Sequence, residues 1–435
     1  MGNGSSRIDL AILRHPLTWA FVVVAALLAF VTTFSYLGGF VDPVGNMHNM
    51  PLAIVNEDAG ASAAGQQLNF GDEVLQAVLA PNPQLGDAVK WSVLPSRSEA
   101  LDRIGRDRYY AAIVVPRDFS ARVVALADPK PDSRLAQIEI LTNPASGSIA
   151  GVESQAIASA AVASVSNTTS ARLVALLNAG GATVAPGAAP ALADPVRAQI
   201  TIAQPIGPKS ARGLAPFYFA VMMTLGGFIG ANVVSVGVDF VTGTVHLDVL
   251  SARLRRRPLE LSRLSVWRTK LGLTLVMSAF AGVLETWMAV GILGMDAPNA
   301  FMLGLFAVLG VAAIATVTVL FITAFGTAGL VLGVLFTTIF GVPSAGGVYP
   351  LEMVPPFFRF LAGWLPLRYM TDGTRSLLFF DGRGDAGLTT AIWVLAAYLV
   401  GASAAGAATA FAIDRLIESR GATPVARSAV ARGSL

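Results

Sequence analysis

The fold is decided by residues 297–351, which read APNAFMLGLFAVLGVAAIATVTVLFITAFGTAGLVLGVLFTTIFGVPSAGGVYPL and contain no Asp, Glu, Lys or Arg. A transmembrane helix needs about 20 apolar residues to cross roughly 30 Å of hydrocarbon. These 55 residues are therefore enough for two crossings. Gly326 is the natural break between them, because glycine weakens a helix. We predict helices at 297–325 and 327–347.

Other parts of the chain are equally poor in charge. Glu285 is the only ionisable side chain in four further stretches, which are 16–41, 213–238, 271–295 and 386–413. The chain is 54% hydrophobic and 13% charged, where globular proteins have about 25% charged residues. Lipid is therefore the expected solvent for much of it. We predict a polytopic α-helical membrane protein with six transmembrane helices, one plus five around the long segment 42–212.

The basic residues of 1–15, 239–270 and 414–435 indicate the orientation. These segments hold two, seven and four Lys or Arg residues, and short basic segments stay in the cytoplasm. The short loops predicted on the opposite side hold no Lys or Arg at 296–299 and four arginines within 348–385. We predict a multi-pass protein of the bacterial cytoplasmic membrane with both termini cytoplasmic and 42–212 outside. Residues 1–15 would form an interfacial helix, and 414–435 a cytoplasmic tail.

Residues 42–212 are numerous enough to bury a core of their own. Ser96 with Glu99 three residues on is a capping box that predicts a helix over 96–106. The Ala- and Ser-rich run 148–177 predicts one long helix. Short apolar and β-branched runs, closed by Asn, Pro or Asp, predict a small sheet at 52–55, 91–94, 112–115 and 138–141, with a further candidate at 199–203. The result is an α+β extracytoplasmic domain, held by core packing alone because the chain has no cysteine.

Three motifs, in this order, resemble the YhgE/Pip (phage infection protein) family. They are PLAIVNEDAG at 51–60, YYAAIVVPRDFS at 109–120 and SAGGVYPLEMVP at 344–355, the last followed by Tyr369 and Arg375. That family looks like a branch of the type-2 ABC exporter membrane subunits. The resemblance covers nearly the whole chain and implies a homodimeric or paired membrane subunit of an exporter.

An ATP-driven pump needs a phosphate cradle of the form GxxxxGK[ST], whose lysine reaches the terminal phosphates. No lysine of this chain follows a glycine; the four are Lys90, Lys130, Lys209 and Lys270. The chain therefore cannot hydrolyse ATP by that route, and no cofactor is expected on it. Energy from ATP would have to arrive through a partner subunit.

The loop 239–270 is where the resemblance places the coupling helix on which such an ATPase docks. Its basic cluster consists of Arg253, Arg255, Arg256 and Arg257. The alternative is that these arginines only obey the positive-inside rule and contact anionic headgroups. Both interpretations remain open at this point.

Glu285 lies about halfway along the predicted span 271–295. A carboxylate at that depth costs a few kcal/mol unless it is neutralised or paired. One hypothesis is an intramembrane proton or substrate site. The other is a protonated carboxyl bonded to a hydroxyl such as Ser278 or Thr286, or a span slightly shifted so that Glu285 is near the surface.

The prolines of 348–385 exclude one straight spanning helix. Two short helices are predicted instead, tolerated where protein covers their backbone. The segment is similar to the outer re-entrant region of the exporter permeases. The pattern favours an interfacial cap anchored by Trp364, Arg368 and Tyr369. A role as outer gate is compatible with it, and the candidate gate residues are Gly346, Gly347, Pro350, Glu352, Tyr369 and Arg375.

Two GxxxG pairs, Gly226 with Gly230 and Gly329 with Gly333, allow helices to approach closely. Internal packing is the favoured role for each, over a dimer seam. Such pairs are common in polytopic proteins, so they indicate no substrate.

No nucleophile and base stand at a recognisable spacing, and the three histidines are far apart, so neither an enzyme nor a metal site is predicted. The prediction is the membrane-spanning subunit of an ABC-type exporter that moves an amphiphilic, lipid-like or drug-like substrate out of the cell, energised by a separate ATPase. The alternative is a non-transporting surface receptor, or an envelope or secretion assembly factor, acting through its extracytoplasmic domain. Expected partners are membrane lipid, a second copy and a cytoplasmic ATPase, and no nucleic acid.

Overall fold

The computed structural model describes residues 16–63, 66–83, 85–126, 135–179, 189–243 and 261–419. Three predictions lie outside these described residues. They concern the interfacial helix at 1–15, the part of the predicted tail 414–435 beyond residue 419, and the arginine cluster formed by Arg253, Arg255, Arg256 and Arg257.

A mixed sheet forms the centre of the segment that follows the first membrane helix, α1 (Pro16–Phe40). Its strand order is β4-β1-β5-β6-β7; β5 and β6 are antiparallel, and the other neighbours are parallel. The sheet and helices predicted for the α+β domain are present, in the form of an α/β region with a mixed sheet. The strands of this sheet are β1 (Met50–Asn56), β4 (Val89–Leu94), β5 (Ala111–Val115), β6 (Ala136–Thr142) and β7 (Val196–Ile202), and a separate hairpin pairs β2 (Ala61–Ala63) with β3 (Gln66–Leu68).

Helices cover both faces of this sheet. On one face lie α2 (Phe70–Leu79), α4 (Phe119–Ala125), α5 (Ser148–Ala179) and α6 (Ala189–Ala193), packed on alternate strand residues such as Ile54. On the other lies α3 (Arg97–Ile104), packed on residues such as Val55. All five residues of β5 are buried, because a strand covered on both faces has no polar side. We call residues 42–212 the sheet domain.

The helix α5 combines an apolar composition with a polar attachment to the sheet domain. Ser166 donates to Asp194 and also accepts from the backbone N–H of Val196, at the start of β7. Ser170 donates to the carbonyl of Leu192. These hydroxyl groups connect α5 to the segment that returns to the sheet, so α5 is part of the sheet domain.

Among the described residues, six helices are long and apolar enough to cross a bilayer, which supports the predicted membrane protein. Five of them overlap predicted spans. The sixth, Ser148–Asn178, is the part of α5 that packs on the sheet. The predicted fifth span, 327–347, instead contains a shorter apolar helix, α10 (Thr327–Val334), which continues as a π-helical turn to Ile339. The other five are Val22–Phe40, Ala215–Val241, Arg263–Ile292, Ala300–Phe325 and Leu388–Ile417.

The membrane bundle is built around α9 (Ala300–Phe325), which packs against α7 (Ala215–Val241), α8 (Arg263–Thr286) and α13 (Leu388–Ser419). Of the apolar window of α9, 67% is buried, against 11% for α1, so α9 is central and α1 peripheral. A left-handed Gly326, with φ of 61°, separates α9 from α10.

The helix α8 begins at Arg263, earlier than the predicted span at 271, because a helix continues beyond the lipid where charged groups find partners. Lys270 is buried and pairs with Asp239 of α7 at 2.8 Å. Asp414 of α13 accepts hydrogen bonds from the backbone N–H groups of Arg263 and Leu264. Hydropathy marks only the apolar part of such a helix.

Both GxxxG pairs face neighbouring parts of the same chain. A Cβ atom at Gly226 or Gly230 would meet Glu285 or Met277 of α8, and one at Gly333 would meet Phe228 of α7. A Cβ at Gly329 would meet the carbonyl of Phe321 in α9. These glycines therefore serve internal packing.

The segment 348–385 forms two short helices, α11 (Pro356–Ala362) and α12 (Pro366–Phe379), after a 3-10 turn at Leu351–Met353. We call this segment the cap. Helix α12 is packed against α7, α9 and α13, with every residue from Gly373 to Phe379 buried. Helix α11 instead exposes Phe357 and Phe360, and Trp364 follows it at the surface.

Candidate functional site

A polar junction joins the sheet domain to the cap. From the sheet domain it takes the short loop between α3 and β5, which includes Asp107 in a left-handed conformation (φ of 55°) and Tyr110. Aspartate tolerates this conformation better than most residues with a Cβ. From the cap it takes Glu352 and one face of α12. We call this region the junction.

Arg375 is the centre of the junction and is 8% exposed. One terminal nitrogen of its guanidinium lies 3.2 Å from Asp372 of α12 and 3.7 Å from Asp107 of the sheet domain. The other terminal nitrogen donates to the carbonyl of Gly346 at 2.9 Å. Because Asp107 and Arg375 belong to different parts of the molecule, this charge group ties the two parts together.

Glu352 makes the second connection. Its side chain accepts a 2.9 Å hydrogen bond from the Tyr110 hydroxyl, and its carbonyl accepts from the backbone N–H of His48. Desolvation, reinforced by the nearby carboxylates Glu352 and Asp107, raises the pKa of Tyr110 well above its ordinary value, so the phenol keeps its proton and acts as the donor. The sheet domain and the cap are therefore joined by a hydrogen bond from the protonated Tyr110 phenol to the Glu352 carboxyl group.

Exposed ion pairs surround this centre. Arg383 of the cap lies 3.2 Å from Asp102 and donates to the carbonyl of Gly105. Arg106 of the sheet domain lies 3.4 Å from Asp385. Half-exposed pairs of this kind each contribute about 0–1 kcal/mol. These exposed ion pairs, which we call the rim pairs, therefore contribute more to the orientation of the sheet domain and the cap than to the strength of their attachment.

A cavity of about 630 Å³, partly open to the surface, lies at the junction. Four arginines and four carboxylates line it, together with Tyr110, Tyr369 and the threonines of the first turn of α13. Five of the six predicted gate residues also line it, namely Gly346, Pro350, Glu352, Tyr369 and Arg375. The sixth, Gly347, packs instead against the ring of Phe217, where a Cβ atom would have no room.

Glu285 lies apart from the junction, between α8 and α7, against Gly226. Its Oε2 atom is buried and has no hydrogen-bond partner among the described residues. The hydroxyl groups considered as partners are used elsewhere: Ser278 donates to the carbonyl of Thr274, and Thr286 to that of Gly282. No hydrogen bond joins either hydroxyl to the Oε2 atom of Glu285.

The motifs that carry the family resemblance meet one another. Asp58 of the first motif accepts hydrogen bonds from the backbone N–H and hydroxyl of Ser120 in the second, and from the backbone N–H of Gly71. The second and third motifs meet where Tyr110 bonds to Glu352. The first two motifs thus hold the sheet domain together, and the third holds it to the cap.

Sequence reasoning missed Asp107 and Asp372 as parts of this site. Asp372 had a recognisable signal, because Arg368, Asp372 and Arg375 stand four and three residues apart on a helix that is otherwise largely apolar. Pairs at these spacings share a helix face, and charges on a buried helix need partners. Asp107 had no such signal, because it follows a helix in a loop rich in charge. Among the described residues, no cluster of His, Asp and Glu could hold a metal ion.

Stability of the junction should depend on pH through Glu352. Desolvation raises the pKa of Glu352, and it outweighs the opposing effects of the hydrogen bond from Tyr110 and the charge of Arg368. Desolvation likewise raises the pKa of Asp372, against the opposing charges of Arg375 and Arg368. Between the ordinary and the raised value the folded chain binds more protons than the unfolded chain, so this contribution to stability falls as pH rises through that window. We expect Glu352→Gln to flatten the pH dependence of the unfolding temperature, measured on the full chain in detergent.

The matched control is Glu73→Gln on α2, an exposed carboxylate far from the cap. The comparison uses the difference between variant and unaltered chain, because other groups act with the opposite sign. The hydrogen bond from Arg97, for example, lowers the pKa of Glu139. Equal slopes for the unaltered chain and Glu352→Gln would contradict the desolvated-carboxyl interpretation.

Fold and site together define a polytopic membrane protein with a mixed-sheet domain attached through charged side chains to one end of its helix bundle. The family described as "Protein of unknown function (DUF3533)" matches residues 21–403. The chain belongs to this family. It is also similar to the "Uncharacterized protein YhgE" of Bacillus subtilis (strain 168), with 26% identity over 96 residues. Those residues are 22% of this chain and only 12% of that protein. The resemblance to a YhgE/Pip-like family is thereby confirmed.

Proposed function

We propose that this chain is the membrane-spanning subunit of an ABC-type exporter, which moves an amphiphilic, lipid-like or drug-like substrate out of the cell with energy from a separate ATPase. The observation that carries the proposal is the cavity at the junction. A polar space of about 630 Å³ lies where α12 and α13 meet the sheet domain. Such a space at the end of a helix bundle suits the exit of a substrate that has a polar group.

The proposed orientation places both termini in the cytoplasm, the sheet domain outside, and the junction at the outer surface of the bacterial cytoplasmic membrane. It follows from the basic residues of 239–270 and 414–435. In this orientation the ATPase docks on the loop that contains Arg253, Arg255, Arg256 and Arg257. The exposed apolar face of α8, with Phe280 and Val283, faces lipid or the second copy of a homodimer.

Opening of the proposed gate requires the cap to move away from the sheet domain. The rim pairs cost little to break, because each is half exposed. The Tyr110–Glu352 bond and the Arg375–Asp107 contact are the ones that must be exchanged for other partners. A substrate with acceptor groups of its own would supply those partners.

The test is transport by the full chain in proteoliposomes, alone and with a candidate ATPase, using a fluorescent phospholipid whose outer-leaflet population is bleached. We expect ATP-dependent movement only with the ATPase. The triple variant of Arg255, Arg256 and Arg257 to alanine should abolish coupling. The matched control, with Arg420, Arg427 and Arg432 changed to alanine, removes the same charge from the tail and should retain it.

No movement under any condition, with insertion and orientation verified, would contradict the exporter proposal. It would favour the alternative, a non-transporting surface receptor or envelope assembly factor that acts through the sheet domain. Equal loss in the two triple variants would contradict the docking role of the loop, because both remove three positive charges from the same side.

A further inference from the structure

Three guanidinium groups at the junction cavity each have a hydrogen-bond donor that no acceptor in the described part of the chain receives. The Nε–H groups of Arg106, Arg368 and Arg375 are buried and make no close hydrogen bond to the described residues, and that of Arg368 lies 3.5 Å from Asp372 in an ion pair. All three arginines line the cavity, and Arg375 is more than nine-tenths buried. A buried donor without an acceptor costs free energy. Three of them around one cavity indicate an occupant that is rich in acceptors.

The carboxylates of the cavity do not provide these acceptors, because donors of the protein already engage them. Asp107 accepts from Ser146 and Asn143 and lies near Arg375. Glu352 accepts from Tyr110. The two remaining carboxylates face arginines: Asp372 faces Arg368 and Arg375, and Asp385 faces Arg106 and Arg383. The unused hydrogen-bond donors are therefore N–H groups of the guanidinium groups.

A phosphate group is the chemistry that fits these donors. Guanidinium groups present planar arrays of donors that match phosphate oxygens, and charge-assisted bonds of this kind are stronger than neutral ones. Burial keeps the pKa of Glu352 and Asp372 raised. Proton uptake by these two groups would shift the balance of the cavity toward positive charge, with Arg106, Arg108, Arg368 and Arg375 unchanged.

An aromatic surface lies beside the cavity. Phe360 of α11 and Trp364 are 67% and 65% exposed. Tyr369, which lines the cavity, donates to the carbonyl of Gly363, and the guanidinium of Arg368 lies 5.6 Å from the centre of its ring. Exposed aromatic side chains at the end of a helix bundle are typical of the headgroup level of a bilayer. Acyl chains could therefore lie against α11 while the headgroup enters the cavity.

We propose that the junction cavity binds the phosphate group of a phospholipid-like amphiphile from the leaflet next to the sheet domain. Arg106, Arg368 and Arg375 donate to the phosphate, and the aromatic residues of α11 contact the acyl chains. This inference rests on the proposed function, because it assigns the transported class as phosphate-bearing lipids. Binding itself needs neither the ATPase nor transport.

The test is calorimetric titration of the purified full chain in maltoside micelles with three probes. These are dihexanoylphosphatidylglycerol, dihexanoylglycerol, which lacks the phosphate, and inorganic phosphate. We expect saturable binding of the first, none of the second, and binding of inorganic phosphate that is weaker by roughly a hundredfold for lack of apolar contacts. Each of Arg106→Gln and Arg368→Gln should weaken phosphatidylglycerol binding by about tenfold or more, the loss expected for one charge-assisted bond.

The matched control is Arg359→Gln, which removes an arginine of α11 that does not line the cavity. It should bind phosphatidylglycerol as the unaltered chain does. A rise in the unfolding temperature of the unaltered chain on adding dihexanoylphosphatidylglycerol, and not on adding dihexanoylglycerol, gives a second readout that needs no variant to fold.

Absence of saturable binding, equal binding of dihexanoylglycerol, or equal loss in Arg359→Gln would each overturn the proposal. If inorganic phosphate bound as tightly as the lipid, the phosphate site would stand, but its assignment to a lipid would be overturned. Binding without transport in proteoliposomes would contradict the exporter and leave the site in place, whereas transport without binding would contradict the site alone.

Discussion

Gly282→Ala is expected to lower the stability of the full chain by about 1–3 kcal/mol, the usual cost of overpacking a well-packed interior. A Cβ atom at Gly282 of α8 would lie 2.5 Å from the backbone nitrogen and 2.7 Å from the Cα of Val308 in α9. A backbone atom inside a helix cannot rotate away as a side chain can. The two helices would therefore have to separate at this contact with the central helix of the bundle.

The matched control for this variant is Gly272→Ala on the same helix. A Cβ atom at Gly272 would have no neighbour within 4 Å. Alanine there removes the conformational freedom of glycine and should leave the stability unchanged or raise it by up to about 1 kcal/mol. Thermal unfolding in detergent, followed by tryptophan fluorescence, measures both. Equal unfolding temperatures for the two variants would show that α8 and α9 do not pack as described.

Arg375→Met is expected to have the larger effect at the junction. Methionine retains an unbranched apolar stem but leaves Asp107 and Asp372 partly buried without their shared cation. Removal of one partner from a buried charge group costs about 3–5 kcal/mol, because the remaining charge stays desolvated. We expect a lower unfolding temperature and faster proteolysis of the loop between α3 and β5 in the full chain.

Arg359→Met is the control for loss of an arginine from the cap outside the junction. A second variant separates charge from packing: Asp372→Asn added to Arg375→Met should recover part of the lost stability, since it removes one uncompensated carboxylate. No recovery would indicate that the arginine acts through packing alone. An unchanged unfolding temperature in Arg375→Met would contradict its central place in the junction.

Local patterns predicted the elements well. The strands at 52–55 and 112–115 were recognisable because both faces of the sheet are covered, which makes their sequences continuously apolar. The strand at 138–141 departs from this only at Glu139, which pairs with Arg97. Ser96 caps α3 through the backbone N–H of Glu99, as the capping box predicts. The membrane helices followed from the absence of charge over lengths that cross a bilayer.

The junction could not be predicted in the same way. Tyr110 and Glu352 are separated by 242 positions in the chain, and Arg383 and Asp102 by 281. Hydropathy and capping act over a few residues, so neither carries information about such pairs. The prolines and charges of 348–385 indicated an unusual segment, but its partner surface depends on where the sheet domain sits.

Length and apolar composition also do not separate α5 from the membrane helices. Its mean hydropathy is 1.2, against 2.7 for the apolar window of α9, and both windows pass as membrane spans. The distinction lies in Ser166 and Ser170, which bond to the segment before β7. Side-chain hydroxyls can bond to their own helix as well, so the sequence alone left their partners open.

During synthesis α5 leaves the ribosome before β7, because β7 comes later in the chain. The insertion machinery then meets a helix apolar enough to enter lipid before the residues that bond to its hydroxyl groups, Leu192, Asp194 and Val196, have been made. The final location of α5 thus depends on which process is faster, its lateral release into the bilayer or the completion of the sheet. A nascent chain that stalls after α5 has left the ribosome, while β7 is still inside it, should leave α5 in the membrane.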